Sequence, residues 1–210
     1  IRAYATNAMG TTYGQELTFE TETPSLNITS PNGLENWEAN SAQTITWESE
    51  YVSNNVKIEY STDGGQNWTL ITTSTPNDGS HPWTVPDASS SQCLVHIEDT
   101  DGGARDVSDG LFSIFQPSVT VTSPNGGEIW EADTQKTIAW TSTGTVGNVK
   151  IEYSTDNGGE WTEITTSTAN DGSHPWTVPG TVSNQCLVRV SDTGGTPWDK
   201  SDAVFSIVDP

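Results

Sequence analysis

Residues 25–39 read SLNITSPNGLENWEA, and residues 118–132 read SVTVTSPNGGEIWEA. The two stretches are 93 residues apart, and this offset holds without a gap from 25–114 to 118–207, with 55 of the 90 aligned positions identical. A duplicated unit of this length can enclose its own hydrophobic core, unlike the thin repeats of a solenoid. The duplication therefore predicts two tandem domains, at 24–116 and 117–210, preceded by a separate segment at 1–23.

Each repeat contains seven short segments in which apolar and polar residues alternate. In the first repeat these are LNIT, TITWES, VKIEYS, WTLITT, HPWTVP, QCLVHIE and LFSIF, separated by Gly, Asn, Asp and Pro. Alternation with a period of two is typical of strands that bury one face, and Thr, Val, Ile, Trp and Tyr favour strands. The sequence predicts an all-β protein with two tandem seven-stranded β-sandwiches, immunoglobulin-like or fibronectin type III-like.

Residues 1–23 lie outside the duplication and read as a β-hairpin. The segment resembles the last two strands of bacterial fibronectin type III-like domains, on Arg2, Ala3, Tyr4, Ala5, Asn7, Gly10 and Gly14. The resemblance implies the C-terminal hairpin of an incomplete domain, able to donate strands. Because two strands alone are marginal in water, we expect this hairpin to pack on the next module, on a neighbouring chain or on the remainder of its own domain. The expected assembly contacts are Ile1, Tyr4, Tyr13, Leu17 and Phe19.

The start of each repeat carries the pattern S-P-N-G, then a Trp, then T-I-x-W. In the first repeat the pattern consists of Ser30, Pro31, Asn32, Gly33, Trp37, Thr44, Ile45 and Trp47. It resembles tandem modules of secreted bacterial surface proteins and is similar to the Ser/Thr-rich GPI-anchored cell-wall domain of fungi. The resemblance implies an extracellular or cell-surface module with a structural or adhesive role and no particular ligand.

The charge of the chain excludes two classes of partner. Seven Lys and Arg face 28 Asp and Glu, a net charge of -21 that repels nucleic acids and anionic membranes. No run approaches the roughly 20 apolar residues that a membrane helix needs, so we expect no membrane insertion. Neighbouring modules, copies of the chain, polyvalent cations and neutral sugars remain as candidate partners.

Two copies of the pattern S-x-D-x-G-x-x-W lie at equivalent places in the repeats. This pattern resembles the Asp-box of sialidases and related propellers, where it is a folding device and not a catalytic one. Asp would cap turn amides, Gly would take a positive φ, and Trp would pack across the hairpin. We interpret these residues as a structural turn motif: Ser61, Asp63, Gly65 and Trp68, with Ser154, Asp156, Gly158 and Trp161.

No residues are predicted to be catalytic. The stretch 77–83 places Asp, Ser and His close together, but Ser80 and His81 are adjacent on a strand and would point to opposite faces. The short turns also leave little material for a catalytic pocket. We therefore expect no enzyme activity and no required cofactor.

An acidic loop in the first repeat contains Asp99, Asp101, Asp106 and Asp109. The spacing D-x-D-G is of the kind that wraps calcium with oxygen ligands, so these four residues are a candidate calcium site. The alternative is solvated Asp in a turn. In the second repeat Gly194 replaces Asp101, and half of the pattern is lost there.

Trp198 and Tyr51 are aromatic residues without an aromatic counterpart in the other repeat. Trp198 replaces Arg105 in a polar loop, and Tyr51 lies in the unmatched stretch 50–54. Exposed aromatic side chains stack on sugars or pack against neighbouring proteins, so both are candidate ligand or partner contacts. Cys93 and Cys186 occupy equivalent inward positions and are expected to be buried free thiols.

Two functions are consistent with these observations. The first is a non-enzymatic, extracellular structural or adhesive module, a segment of a filament or stalk assembled through β-strand contacts. The alternative is a carbohydrate-binding accessory module of a secreted glycoside hydrolase, with cell-surface polysaccharide as partner. A row of exposed aromatic residues would favour the alternative, whereas an exposed hairpin edge would favour the first.

Overall fold

The computed structural model describes residues 2–18 and 22–210. All regular secondary structure in this part of the chain is β, in twenty strands. The chain divides into two compact units, one formed mainly by residues up to Ile114 and one mainly by residues from Phe115 onwards. The prediction of an all-β protein with tandem sandwich domains is confirmed.

The N-terminal hairpin is a separate two-stranded sheet. Strand β1 (Arg2–Asn7) pairs antiparallel with β2 (Gly10–Glu16), and every residue of both strands is exposed. Tyr4 lies opposite Tyr13 in the register, with ring centroids 6.2 Å apart. The guanidinium carbon of Arg2 lies 4.6 Å from the Tyr13 ring centroid. Two of the predicted assembly contacts, Ile1 and Phe19, fall outside the described residues.

The first module is built from nine strands in two sheets. A three-stranded sheet has the order β3-β5-β8, and a second sheet has the order β4-β11-β9-β6-β7, with β10 added to β9. The strands are β3 (Ser25–Ser30), β4 (Asn36–Glu38), β5 (Ala42–Glu50), β6 (Val56–Ser61), β7 (Thr69–Thr75), β8 (Ser80–Thr84), β9 (Ser90–Asp99), β10 (Arg105–Val107) and β11 (Phe112–Phe115).

The second module repeats this topology strand for strand. Its sheets have the orders β12-β14-β17 and β13-β20-β18-β15-β16, with β19 added to β18. The strands are β12 (Ser118–Ser123), β13 (Ile129–Glu131), β14 (Gln135–Thr143), β15 (Val149–Ser154), β16 (Thr162–Thr168), β17 (Ser173–Thr177), β18 (Ser183–Asp192), β19 (Trp198–Lys200) and β20 (Phe205–Val208).

The seven predicted strands of each repeat are all present, and two short strands were not predicted. These are β4 and β10 in the first module, with β13 and β19 as their counterparts, each of three residues. Three residues are too few to display an alternating pattern, so periodicity does not reveal them. The two-sheet arrangement with short connections is that of an immunoglobulin-like or fibronectin type III-like sandwich.

Each module encloses its own core. Alternate residues of both sheets are buried, and the same aromatic cluster recurs. In the first module Trp37 lies between Phe112 and Trp83, with ring centroids 5.3 and 5.9 Å away, and Tyr60 lies 5.3 Å from Trp83. Rings tilted at these distances attract one another beyond their burial. A few large rings therefore supply a core to a chain with only 31% hydrophobic residues.

The two cysteines lie in these cores. Cys93 and Cys186 are buried free thiols on equivalent strands. Burial raises the pKa of each thiol above its usual value, because the charged thiolate is poorly solvated there. Both side chains therefore stay protonated and pack as small apolar residues.

Candidate binding surface

The outward face of the larger sheet in the second module carries a row of charged residues that crosses four strands. Lys200 of β19 lies opposite Arg189 of β18, Arg189 lies opposite Glu152 of β15, and Glu152 lies opposite Glu163 of β16. Inward neighbours such as Val188 and Val190 are buried, so alternation along β18 turns the side chain of Arg189 outward. Four strands thus bring distant residues onto one surface.

Glu152 is the centre of this row. Its carboxylate accepts two hydrogen bonds from the Arg189 guanidinium, at 3.0 and 2.6 Å, and lies 2.7 Å from the Lys150 ammonium. Burial alone would raise the pKa of Glu152, but the hydrogen bonds from Lys150 and Arg189 outweigh it and hold the pKa below its usual value. The side chain is therefore ionised and fixed in place by two cations.

Trp161 flanks this row at the start of β16. The Arg189 guanidinium carbon lies 4.4 Å from the centroid of the Trp161 ring, which is a cation–π distance. A Cβ atom on Gly158 would come within 3.5 Å of the same ring and within 3.7 Å of Leu187. The turn before β16 therefore packs the indole closely and orients it beside Arg189.

Trp198 stands at the edge of the same face. It lies opposite Ser191 in the register and remains 53% exposed. Ser191, Gly194 and Gly195 surround it with little side-chain bulk, and together with Lys150, Glu152, Arg189, Asp192 and Thr193 they line an open groove of about 360 Å³. The predicted ligand contact at Trp198 thus lies in a groove that also contains paired charges.

The first module has an equivalent groove with different chemistry. Glu59 occupies the place of Glu152 and contacts Lys57 at 3.0 Å and His96 at 3.2 Å. Burial would raise the pKa of Glu59, but hydrogen bonds from these two residues lower it. Trp68 lies 5.4 Å from the His96 ring, and Arg105 stands where Trp198 stands in the second module. The exposed tryptophan is therefore a feature of the second groove.

The S-x-D-x-G-x-x-W stretches form tight hydrogen-bonded turns. The Ser61 hydroxyl donates to Asp63 Oδ1 at 2.7 Å and accepts from the Gly65 amide at 2.9 Å, while Asp63 accepts from the side chain and the amide of Asn67 at 2.6 and 2.9 Å. The hydrogen bonds from Asn67 and Ser61 lower the pKa of Asp63 to about 2. Gly65 has φ +85°, which only glycine adopts without strain.

The turn of the second module is built in the same way. Ser154 donates to Asp156 at 2.7 Å and accepts from the Gly158 amide at 2.8 Å. Asp156 also accepts from the Glu160 amide at 2.9 Å, and this bond and that from Ser154 lower its pKa. These hydrogen bonds close the turns that precede Trp68 and Trp161.

The four aspartates proposed as calcium ligands serve different parts of the loop. Asp99 accepts from the Asp101 amide at 3.1 Å, and Asp101 accepts from Asn54 at 2.9 Å. Asp106 accepts from the Ile28 amide at 2.7 Å, and Asp109 accepts from the Asn32 side chain at 2.9 Å.

The structure does not bring these carboxylates into one ligand set. In the described ranges 2–18 and 22–210, no group of three or more His, Cys, Asp or Glu side chains is arranged to hold a metal ion. Asp106 and Asp109 instead have counterparts in the second module, where Asp199 accepts from the Val121 amide and Asp202 accepts from Asn125. Calcium binding stays a prediction.

The remaining sequence candidates lie elsewhere. Tyr51 follows β5, is 61% exposed with φ +55°, and lines neither groove. Two residues of the stretch 77–83, which contains Asp, Ser and His, contact neighbouring strands. The Asn77 side-chain oxygen accepts the indole N–H of Trp47 at 2.7 Å. His81 Nδ1 lies 3.2 Å from Thr75 Oγ1. Both contacts tie the turn to neighbouring strands.

Sequence reasoning missed most of the charged groove. Lys150, Glu152 and Arg189 come from two strands that are far apart in the chain, and only the sheet register brings them together. The available signal was that each occupies an outward position in an alternating strand.

Comparison with known proteins supplies no family. A scan against family models finds no match, and a search of curated proteins finds no relative. Among solved structures, the fibronectin(III)-like modules of Clostridium thermocellum CbhA have 18% identity and a TM-score of 0.34, covering 88% of this chain and 94% of theirs. The I9–I11 tandem from titin has 12% identity and a TM-score of 0.46, covering 88% and 66%.

No helix long and apolar enough to cross a membrane occurs in the part of the chain that the structure describes.

Proposed function

We propose that this chain is a non-enzymatic structural or adhesive segment of an extracellular or cell-surface protein, and that it assembles through its N-terminal hairpin. The two sandwich modules act as rigid spacers, and β1 and β2 accept strands from a neighbouring copy. The observation that carries the proposal is that every residue of both hairpin strands is exposed.

Among residues 2–18 and 22–210, β1 and β2 pair only with each other, which leaves the outer edge of each strand without a neighbouring strand there. An open edge presents unpaired backbone N–H and C=O groups, which favour the addition of another strand. The same sheet exposes Tyr4 by 72% and Tyr13 by 56%, and Leu17, which follows β2, is exposed by 68%. Added strands would bury these side chains and supply the stability that two strands lack in water.

The surface charge supports a role that does not involve binding to nucleic acids or anionic lipids. A net charge of -21 keeps such a module soluble and repels both classes of partner. Immunoglobulin-like and fibronectin type III-like domains commonly serve as spacers, and each module here carries an independent core that suits this use.

Deletion of residues 1–23 tests the proposal. The full chain should form oligomers whose size rises with concentration in sedimentation velocity, whereas the 24–210 chain should stay monomeric. Because each module has its own core, the shortened chain should keep the circular dichroism of the folded protein. Equal sedimentation of the two chains as monomers would overturn the proposal.

A matched pair of variants separates the hairpin from tyrosine exposure in general. Replacing Tyr4 and Tyr13 together with Ala should weaken the association, since both rings would be buried by an added strand. Tyr51→Ala removes an equally exposed tyrosine outside the hairpin and should leave the association unchanged. Equal weakening by both sets would place the contact elsewhere.

A further inference from the structure

The groove around Trp198 combines an exposed aromatic ring with fixed hydrogen-bonding groups. Trp198 lines the groove with Arg189, Glu152 and Lys150, and the last three form one ion-paired group. Its volume of about 360 Å³ falls within the roughly 300–1,000 Å³ that small-ligand sites occupy. An apolar ring beside oriented donors and acceptors suits a sugar, which presents an apolar face and hydroxyl groups at its edge.

Most of the Lys and Arg residues of the chain lie on the outward faces of the larger sheets. Five of the seven Lys and Arg lie on the outward faces of the two larger sheets, Lys57 and Arg105 in the first module and Lys150, Arg189 and Lys200 in the second. In the groove itself, Lys150 and Arg189 balance Glu152 and Asp192. The groove is therefore locally neutral in a chain of net charge -21.

The neutral groove and the negative charge of the whole chain together favour an uncharged ligand. An acidic polysaccharide would be repelled by the rest of the surface, while a neutral one would meet no such penalty. We propose that the outward face of the second module binds a neutral polysaccharide, with Trp198 stacking on a sugar ring and the Lys150–Glu152–Arg189 group bonding its hydroxyls. This site is independent of the hairpin, because all its residues lie in the second module.

The first module provides an internal control. Its equivalent positions hold Arg105 for Trp198, His96 for Arg189 and Val107 for Lys200. The scaffold is the same, but the exposed tryptophan is absent, and His96 and Val107 replace the permanent cations at the positions of Arg189 and Lys200. The first groove should therefore not bind the same ligand.

Affinity electrophoresis of the full chain through gels containing soluble xylan, mixed-linkage β-glucan or galactomannan tests the proposal, with polygalacturonate as the acidic comparison. At least one neutral polymer should retard the protein, and the retardation should persist when salt is raised, because neutral ligands bring no screened charge. Trp198→Ala should weaken the binding by about tenfold, and Arg105→Ala should not change it.

A second variant guards against misfolding. Trp198→Arg carries the residue that the first module holds at this position of the same scaffold, so it should fold and still lose binding. No retardation by any of the three neutral polymers, retardation by polygalacturonate alone, or unchanged binding of both Trp198 variants would each overturn the proposal. Sedimentation of the same variants should match that of the full chain, which keeps this result separate from hairpin assembly.

Discussion

The carboxylate of Asp63 gives a residue-scale test of the turn before β7. Its folded-state pKa of about 2 lies below the usual 3.8, so its contribution to stability is complete above about pH 4 and is lost as the pH falls towards about 2. An NMR titration of the Asp63 side-chain carboxyl carbon should show a midpoint near 2. A midpoint at or above 3.8 would mean that the bonds from Asn67 and Ser61 are not formed in solution.

Ser108 provides a second test at this scale. Its buried hydroxyl accepts from the Val95 amide at 3.0 Å and donates to the Pro31 carbonyl at 2.8 Å. Ser108→Ala leaves both groups without this partner and should lower the free energy of unfolding of the first module by about 1–3 kcal/mol. Urea unfolding measures the loss, and Ser201→Ala, the equivalent change in the second module, should cost a similar amount. A loss below about 0.5 kcal/mol in both would contradict this reading.

These two residues also mark what the sequence can predict. The Asp63 turn lies within eight residues, so spacing alone identifies the Ser, Asp, Gly and Trp that build it. Ser108 acts on Pro31, 77 residues away in the chain, and no local pattern encodes that contact. Two of the loop aspartates illustrate the same limit, because Asp106 bonds the Ile28 amide and Asp109 bonds the Asn32 side chain, and their spacing in the loop does not encode these distant partners.

The short strand β10 pairs with β9, and a side-chain bond also links it to the first strand of its module. Asp106 of β10 accepts from the Ile28 amide of β3 at 2.7 Å. Asp106→Ala should remove this bond and speed hydrogen exchange at the Ile28 amide. It should also lower the free energy of unfolding by about 1–3 kcal/mol. Asp199→Ala should have the same effect on the Val121 amide. Unchanged exchange at Ile28 would contradict a bond from this amide to Asp106 in solution.

Prediction of elements from the sequence succeeded where periodicity had room to appear. The long strands show the alternation clearly: β9 has Cys93, Val95 and Ile97 inward and alternates from residue 93 to residue 99. Strands β4 and β10 are only three residues long and are defined by their pairing with β11 and β9. Pairing between distant segments, and not local preference, creates these elements.

For the molecule as a whole, the duplication predicted the tandem sandwiches, but it could not reveal how the chemistry of the two outward faces differs. Trp198 stands where the first module has Arg105, and Arg189 stands where it has His96. The effect of these differences can be seen only once the strand register shows which residues line each groove. The two copies share their turns and aromatic cores and differ in surface chemistry. The same fold therefore presents two surfaces of different chemistry.

The charge of the whole chain predicts how assembly responds to salt. Copies of a chain with net charge -21 repel one another, so association through strand pairing should strengthen when this repulsion is screened. Raising the ionic strength from about 0.01 M to about 0.15 M shortens the screening length from about 30 to about 8 Å. Sedimentation velocity should show larger oligomers at the higher salt. Dissociation at the higher salt would indicate ionic contacts in place of strand pairing.

Hydrogen exchange of the hairpin amides tests the assembly proposal most directly. In the full chain, the amides of β1 and β2 that face away from their mutual ladder are open to solvent, and an added strand would bond them. Hydrogen exchange is measured by NMR or mass spectrometry at increasing protein concentration. The protection of the amides of residues 2–16 against exchange should increase as oligomers form. Hairpin amides that exchange at the same unprotected rate at every concentration would contradict assembly through this sheet.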